Sequence, residues 1–498
     1  IHIKYMPRVI VIGSGIGGLA SAIRLACKGY EVTVLEKNEA PGGKLGIIER
    51  NGYRFDTGPS LFTQPANLEE LFELAGESIQ DYFRYRSVDV SCHYFYENGK
   101  RLKAYTDRHA FADEMQRVTG EDRERVHHYL AESERMYDDV GRIFLDHSLH
   151  KASTWLHPRV LKAMRRTGFG HVFRSLDRFN RDRFKSPEAV QLFNRYATYN
   201  GSNPYKAPGM LSLIPHLEHN EGTFYPEGGM ISIVEALHRL ALKKGVEFHF
   251  GQKVEGIRTA RGRVTGVQSG GRFLPADIVV SNVDVYYTYR DLLKDERRAA
   301  NVLKRERSSS ALIFYWGIGR SFPELHLHNI FFSRDYAAEF SHLFDLKRAY
   351  PDPTVYINIT SKMEGGQAPD GSENWFVMLN APAGDALSDP EAVKIARENT
   401  LDKLERMLGS DIRPHIQTED ILTPKGIERH TDSHLGSLYG TSSNSKWAAF
   451  LRHPNQRSAY RGLFFTGGSV HPGGGIPLCM KSAHIVSELL PLARQWKP

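Results

Sequence analysis

The run Val9-Ile10-Val11-Ile12-Gly13-Ser14-Gly15-Ile16-Gly17-Gly18-Leu19 constrains this chain more than any other segment, because it is followed by Glu31-Val32-Thr33-Val34-Leu35 and then by Glu36. A short unbroken apolar run, a glycine turn, a helical stretch from Leu19 to Lys28 and a second apolar run read as a buried parallel strand, its crossover helix and the neighbouring strand. In such a unit Gly13 allows the sharp turn and Gly15 lets a pyrophosphate approach the backbone. Gly18 lets helix and strand pack closely, and Glu36 can accept from a ribose hydroxyl. A lone GxGxxG occurs in many loops. Here the preceding strand, the following helix and the acid closing the next strand agree, and together they predict a place for the ADP half of a dinucleotide.

The glycine-dense backbone does not stop there. Pro41-Gly42-Gly43-Lys44 and Phe55-Asp56-Thr57-Gly58-Pro59 follow, and the far end of the chain carries Phe464-Phe465-Thr466-Gly467-Gly468-Ser469-Val470-His471-Pro472-Gly473-Gly474-Gly475-Ile476-Pro477. A nicotinamide site does not require this. A long cofactor threaded through the protein, met at its far end by the C-terminal segment, fits better.

At 498 residues the chain is too long for one ordinary core. Its apolar pattern predicts an α/β fold with a Rossmann-type nucleotide domain assembled from 1–72, 222–290 and 455–498. The segment Thr223-Phe224-Tyr225-Pro226-Glu227-Gly228-Gly229-Met230 opens a helix through Leu242, short strands follow near 244–250, 256–257 and 264–268, and Ile278-Val279-Val280-Ser281 reads as another buried strand. A mixed-sheet substrate domain is expected from 73–105, 188–221 and 291–454. Its strand-like runs are 88–96, 101–105, 311–316, 354–359 and 375–379, with a hairpin turn at Glu97-Asn98-Gly99-Lys100 and a helix over 390–408. Residues 106–187 read as a helical subdomain.

Charge is concentrated in that subdomain. The chain carries a net +7, yet between Lys151 and Lys185 ten Lys or Arg face two acids, Asp177 and Asp182. Leu161, Met164, Gly168, Val172, Leu176 and Phe179 fall near one helical face there, with Trp155 upstream. That composition suits an anionic bilayer surface; a solvated charge face over an ordinary core stripe is the alternative. No nucleic-acid motif accompanies the charge, so nucleic acid is not an expected partner. Cys27, Cys92 and Cys479 stand far apart with no CxxC spacing, which predicts neither disulfides nor zinc and points to a reducing cytoplasm. No run of eighteen apolar residues and no N-terminal apolar region is present, so neither a span nor a signal peptide is expected. Met6 directly precedes the first strand, so residues 1–5 are expected to be an appended remnant.

Taken together, these residues resemble the bacterial phytoene-desaturase type of carotenoid desaturase, within the flavin amine-oxidase superfamily. The resemblance covers nearly the whole chain and rests on Val11 to Gly18 with Glu36, Gly42-Gly43-Lys44, Asp56-Thr57-Gly58-Pro59, the block from Tyr225 to Met230, and Thr466 to Pro477. Tyr196 to Pro208, followed by Ile214-Pro215-His216-Leu217-Glu218-His219, looks closest to the subgroup acting on 1-hydroxycarotenoids at the 3,4 bond. Many flavoproteins place an aspartate after the C-terminal Thr and Gly. This chain has Gly468 and Ser469 instead, which removes a familiar contact to the ribityl chain.

The resemblance implies noncovalent FAD, held by Gly13, Gly15, Ile16, Gly17, Gly18, Glu36, Lys37, Gly42, Gly43, Lys44, Gly58, Pro59, Ser60, Val254, Gly467, Gly468, Gly475 and Ile476. Desaturation removes a hydride and a proton from adjacent carbons, and only a flavin-like cofactor can carry the hydride step. The helix expected to open at Ile476, with Pro477 in its first turn, would aim its positive end at the flavin pyrimidine. No catalytic base stands out: Glu218, Glu221 and Glu227 read as exposed or structural carboxylates. His216, Glu218 and His219 lack the HExxH spacing, so no metal is expected. Asn200, Asn203, His216 and His219 are the expected polar contacts for a substrate hydroxyl. The substrate is expected to be a carotenoid drawn from the inner face of the cell membrane by a peripheral, cytoplasmic enzyme, with oxygen or a membrane quinone as electron acceptor. A redox-neutral flavin carotenoid isomerase, an amine oxidase and a non-catalytic prenyl-lipid binding protein remain open. The lack of a second dinucleotide fingerprint disfavours a monooxygenase.

Overall fold

A computed structural model describes residues 6–141, 145–147, 174–445 and 452–496. Its centre is a five-stranded, all-parallel sheet in the order Leu463–Phe465, Ile278–Ser281, Arg8–Ile12, Glu31–Leu35, Glu247–His249. The chain leaves the central strand Arg8–Ile12 for one neighbour and later returns to build on the other side. The strand order therefore reverses beside Gly13, where an open parallel sheet leaves a crevice for a ligand.

Both faces of this sheet are covered, which is why its strands read as unbroken apolar runs rather than alternating ones. Val9, Val11, Val32, Val34, Ile278, Val280 and Phe464 pack against the helices Ile16–Cys27, Ile231–Lys243 and Ile476–Glu488. The alternate residues Ile10, Ile12, Leu35, Val279, Leu463 and Phe465 turn the other way, toward an antiparallel sheet of Val254–Ala260, Arg263–Ser269 and Arg272–Pro275. Every one of these elements lies within 6–72, 222–290 or 455–496.

A second, mixed sheet runs Ile416–Leu422, Ser310–Ile318, Glu373–Ala381, Val355–Ile359, His328–Phe331, Val90–Phe95, Arg101–Tyr105. Leu312, Phe314 and Trp316 face the 19-residue helix Pro390–Leu408, through Val393, Leu401 and Leu404. Ile313 and Tyr315, one step out of phase, face the opposite side with Phe376 and Met378 and wall the large cavity described below. Two strands of this sheet escape sequence reasoning, His328–Phe331 and Ile416–Leu422. The first has four residues; the second is an edge strand whose residues are mostly half-exposed, so neither presents a clean alternation.

The helical region contains Arg108–Thr119, Arg123–Met136, Leu176–Arg181 and Pro187–Asn194, with side-chain caps from Asp107, Asp122, Ser175 and Ser186. At its end the apolar stripe follows the second of the two readings, a core stripe under a charged face: Leu176 and Phe179 are buried in a core with Tyr129, Phe184 and Phe193. Arg174 and Arg178 pair with Asp182 at 2.6 and 3.2 Å, and Arg181 with Asp177 at 2.8 Å. Trp155, Leu161, Met164, Gly168 and Val172 lie outside the described residues. Among the described residues, no helix is long and apolar enough to cross a membrane.

Candidate active site

One continuous cavity of about 1150 Å³ runs from the crevice beside Gly15 to the walls of the mixed sheet. That exceeds the ~300–1,000 Å³ of a pocket for one small ligand, and it suits a long cofactor with room for part of a second molecule. Gly15, Ile16, Gly17, Gly42, Gly43, Lys44, Gly58, Pro59, Ser60, Gly468, Gly475 and Ile476 all line it. Two helices open onto it with no side chain capping either: Ile16–Cys27 after Gly15, and Ile476–Glu488 after Gly475. Each offers the positive end of a helix dipole to an anionic or charge-accumulating group.

The glycines are spaced by close approach as well as by ligand access. A Cβ on Gly18 would sit 2.0 Å from the Gly13 carbonyl oxygen, so helix and turn meet only because Gly18 has none. Gly475 differs: with φ +107° and no atom within 4 Å of its would-be Cβ, it borders open space.

Sequence reasoning missed the residue at the centre of this cradle, Asn282. It follows the strand Ile278–Ser281, and its Nδ2 donates to the Thr466 carbonyl at 3.2 Å. A Cβ on Gly15, Gly17 or Gly467 would come within 2.8, 2.9 or 2.3 Å of its amide. One carboxamide thus ties the N-terminal and C-terminal glycine segments together. Its position at the carboxyl end of a parallel strand is the signal that could have revealed it.

Glu36 is buried and accepts from the Ser14 N–H at 2.7 Å, the Ser14 hydroxyl at 2.8 Å and the Asn38 N–H at 3.0 Å. Gly13, Gly18, Glu36, Lys37, Val254 and Gly467 are not in the cavity wall. Lys37 turns to Asp432, 2.7 Å away, and Val254 packs in the cluster of Ile10, Ile12 and Leu35. Lys44 is half-buried, and its Nζ donates to the Leu438 carbonyl at 2.6 Å. Burial pulls its ammonium down to about 8, against the raising influence of Cys479 and Asp284. Asp56 serves the fold: its carboxylate accepts from the Met230 N–H at 2.9 Å and the Ile231 N–H at 3.3 Å, docking the helix Ile231–Lys243.

The far wall is built from side chains. Arg195 and Glu218 form an ion pair at 3.3 Å with 11% and 2% of their side chains exposed, and Tyr199 and Ser91 donate to the same carboxylate. Burial would raise the Glu218 carboxyl, but Arg195, His219 and the two hydroxyls outweigh it and hold it below its ordinary value. Glu218 is therefore buried and ion-paired at the cavity wall, while Glu221 and Glu227 are exposed. Beside the pair, Ser60 Oγ and Tyr356 Oη meet at 2.7 Å, and Tyr356 Oη meets His328 Nδ1 at 2.8 Å.

The expected hydroxyl contacts are corrected here. His216 bonds Asn220, His219 bonds Tyr196 Oη at 2.9 Å and stacks on Phe111, and Asn203 accepts from the Tyr205 N–H; none of these three, nor Asn200, lines the cavity.

Residues 16–490 match the family of flavin containing amine oxidoreductases. The chain belongs to that family: it is an FAD-dependent oxidoreductase. It is 49% identical over 98% of its length to a 1-hydroxycarotenoid 3,4-desaturase of Flavobacterium sp. (strain P99-3), covering 99% of that protein. It is 34% identical to a 4,4'-diapolycopene oxygenase of Methylomonas sp, over 97% of both chains. Among solved structures, an oxidoreductase from Methanosarcina mazei shares the fold with a TM-score of 0.64 at 17% identity, over 97% of this chain and 100% of that one. The two uncapped helix ends and the open space at Gly475 fit FAD.

Proposed function

We propose that this chain introduces the 3,4 double bond into the 1-hydroxylated end of an acyclic carotenoid. The observation that carries this reading is the likeness over nearly full length to a 1-hydroxycarotenoid 3,4-desaturase. The cavity supports it: an apolar wall of Ile313, Ile330, Phe376 and Met378 adjoins a polar end at Arg195, Glu218, Tyr199, His328 and Tyr356.

Bound FAD supplies the hydride acceptor that no side chain provides. The apolar wall holds the polyene and excludes water. The first turn of Ile476–Glu488 and the Lys44 ammonium present positive charge where negative charge accumulates. Glu218 is spent on Arg195, Tyr199 and Ser91, so its carboxylate orders the polar end rather than collecting a proton.

An insoluble substrate calls for a membrane surface, and the basic excess between Lys151 and Lys185 supports peripheral docking to an anionic inner leaflet. Flotation with anionic liposomes that weakens with added salt is the expected signature; salt-independent flotation, or none, removes that element.

The deciding experiment incubates the FAD-loaded protein with liposomes containing either a 1-hydroxycarotenoid or its non-hydroxylated counterpart, under oxygen or with added quinone. Loss of two hydrogens, faster from the hydroxylated carotenoid, is expected. A product that gains oxygen would move the chain toward the oxygenase relatives, and an unchanged mass would indicate isomerisation.

A further inference from the structure

Arg195 at Nε, Tyr336 at Oη and His328 at Nε2 line the cavity, and each carries a buried donor with no hydrogen-bond partner among the described residues. His328 is 2% exposed, lines the cavity, and its Nε2 has no hydrogen-bond partner among the described residues. Its other nitrogen is committed. Asn358 Nδ2 donates to the Leu327 carbonyl at 3.1 Å, which fixes the orientation of that amide, and the same Nδ2 reaches His328 Nδ1 at 3.2 Å. Nδ1 must therefore accept, and Tyr356 Oη donates to it as well at 2.8 Å. Burial pulls the imidazole down to about 3, so the ring is neutral at physiological pH. A neutral ring that accepts at Nδ1 carries its proton on Nε2. The outcome is a covered N–H on a residue of the cavity wall, which a small turn of the ring must open to a ligand, and leaving such a group unpaired costs about 1–3 kcal/mol.

We propose that His328 is the specificity-determining residue for the carotenoid hydroxyl, donating a hydrogen bond from Nε2 to the hydroxyl oxygen and so fixing which carbon–carbon bond lies at the flavin. The inference rests on the substrate reading above and deepens it. A polyene in an apolar channel has nothing along its length to stop it sliding. One hydrogen bond near its end sets the register. In a 1-hydroxy end group a single methylene separates the carbinol carbon from C3, so the contact must lie beside the reacting bond. His328 meets this requirement through its neighbours: Tyr356 links it to Ser60, which adjoins Gly58 and Pro59 in the cofactor cradle. Arg195 has more charge, but its two terminal nitrogens are held by Glu218, Tyr94 and Tyr199 and only Nε lacks a partner among the described residues; the Tyr336 hydroxyl, also without one, can rotate and sets no fixed direction.

The test compares wild type, His328→Phe and His328→Gln as FAD-loaded proteins, each supplied with the hydroxylated and the deoxy carotenoid in identical liposomes. The readouts are kcat/KM, carotenoid affinity by quenching of tryptophan fluorescence, and the position of the new double bond. His328→Phe should lower kcat/KM and affinity for the hydroxylated substrate about tenfold to a hundredfold relative to the deoxy substrate, and scatter the position of the double bond. His328→Gln, which restores an N–H donor, should recover part of the preference. If His328→Phe does not retain FAD, His328→Asn, too short to reach, takes its place. Equal losses for both carotenoids in the variants overturn the assignment and make His328 a structural residue. If wild type desaturates both carotenoids equally well, the substrate reading itself fails and this inference falls with it.

Discussion

The two ends of the cavity are made of different materials. The cofactor end is largely backbone: Gly15, Gly17, Gly43, Gly58, Gly468 and Gly475 with two uncapped helix starts, and little side-chain chemistry beyond Lys44 and the tie at Asn282. The substrate end is almost wholly side chain: Arg195, Tyr199, Glu218, His328 and Tyr356, each held by another. The first is spoiled most by adding atoms, and the second by removing them. Backbone N–H groups suit a cofactor whose pyrophosphate is invariant, whereas side chains suit a substrate whose end group must be told from near relatives.

The largest expected effect is therefore an addition. Gly15→Leu should abolish flavin binding in a protein that stays folded by circular dichroism, because the new side chain enters the space the pyrophosphate needs and its Cβ meets Asn282 Oδ1 at 2.8 Å. The two causes separate in the double variant Gly15→Leu/Asn282→Ala. It relieves the clash with Asn282 and leaves the obstruction, so flavin should remain absent. Restored flavin absorbance would mean that Gly15 serves only to admit Asn282.

The same contrast explains what could be read from the sequence. Gly13, Gly15, Gly18 and Glu36 sit within one strand–turn–helix–strand unit, and their spacing follows from local geometry. The parallel strands announced themselves because both faces are covered. Arg195 and Glu218 are 23 residues apart, and His328 and Tyr356 come from further strands. Nothing in a local pattern says that these groups converge. Asn200, Asn203, His216 and His219 are in the right segment of chain, yet none lines the cavity, and the last three bond Tyr205, Asn220 and Tyr196 instead. Val254 and Lys37 follow from the family resemblance alone, and neither reaches the cavity wall.

Removal at the substrate end comes next. Arg195→Met leaves Glu218 buried without its cation, and breaking a buried pair from one side costs about 3–5 kcal/mol. A lower urea midpoint is expected, with part of the loss regained in Arg195→Met/Glu218→Leu, which removes both charges. A double variant no better than the single would show that Arg195 acts through its contacts with Tyr94, Tyr196 and Tyr199 rather than through the pair.

Asn282→Ala is the corresponding removal at the cofactor end, and it should be milder. The backbone donors stay in place and only the tie to the Thr466 carbonyl is lost, so FAD should bind about tenfold more weakly, the equivalent of one ordinary hydrogen bond. Flavin titration of the apoprotein measures this. A loss as complete as that of Gly15→Leu would mean that the amide itself holds the cofactor.

The smallest effect is on acid stability, and it belongs to the substrate end. The His328 imidazole is pulled down to about 3 in the folded protein, while an unfolded histidine titrates near 6.5. Below pH 6.5 the unfolded chain takes up a proton that the folded one refuses, so this contribution is complete above that value and is lost as pH falls toward 3. Between pH 7.5 and 6 wild type should lose about 0.8 kcal/mol from this group, and His328→Phe should not. His93, pulled down by burial to about 4, acts in the same direction in both proteins and cancels in the difference. Urea midpoints of the two apoproteins should therefore draw together, in favour of the variant, on acidification. Parallel profiles would mean that the folded protein admits a proton at His328, and the fixed Nε2 donor on which hydroxyl recognition depends would be lost with it.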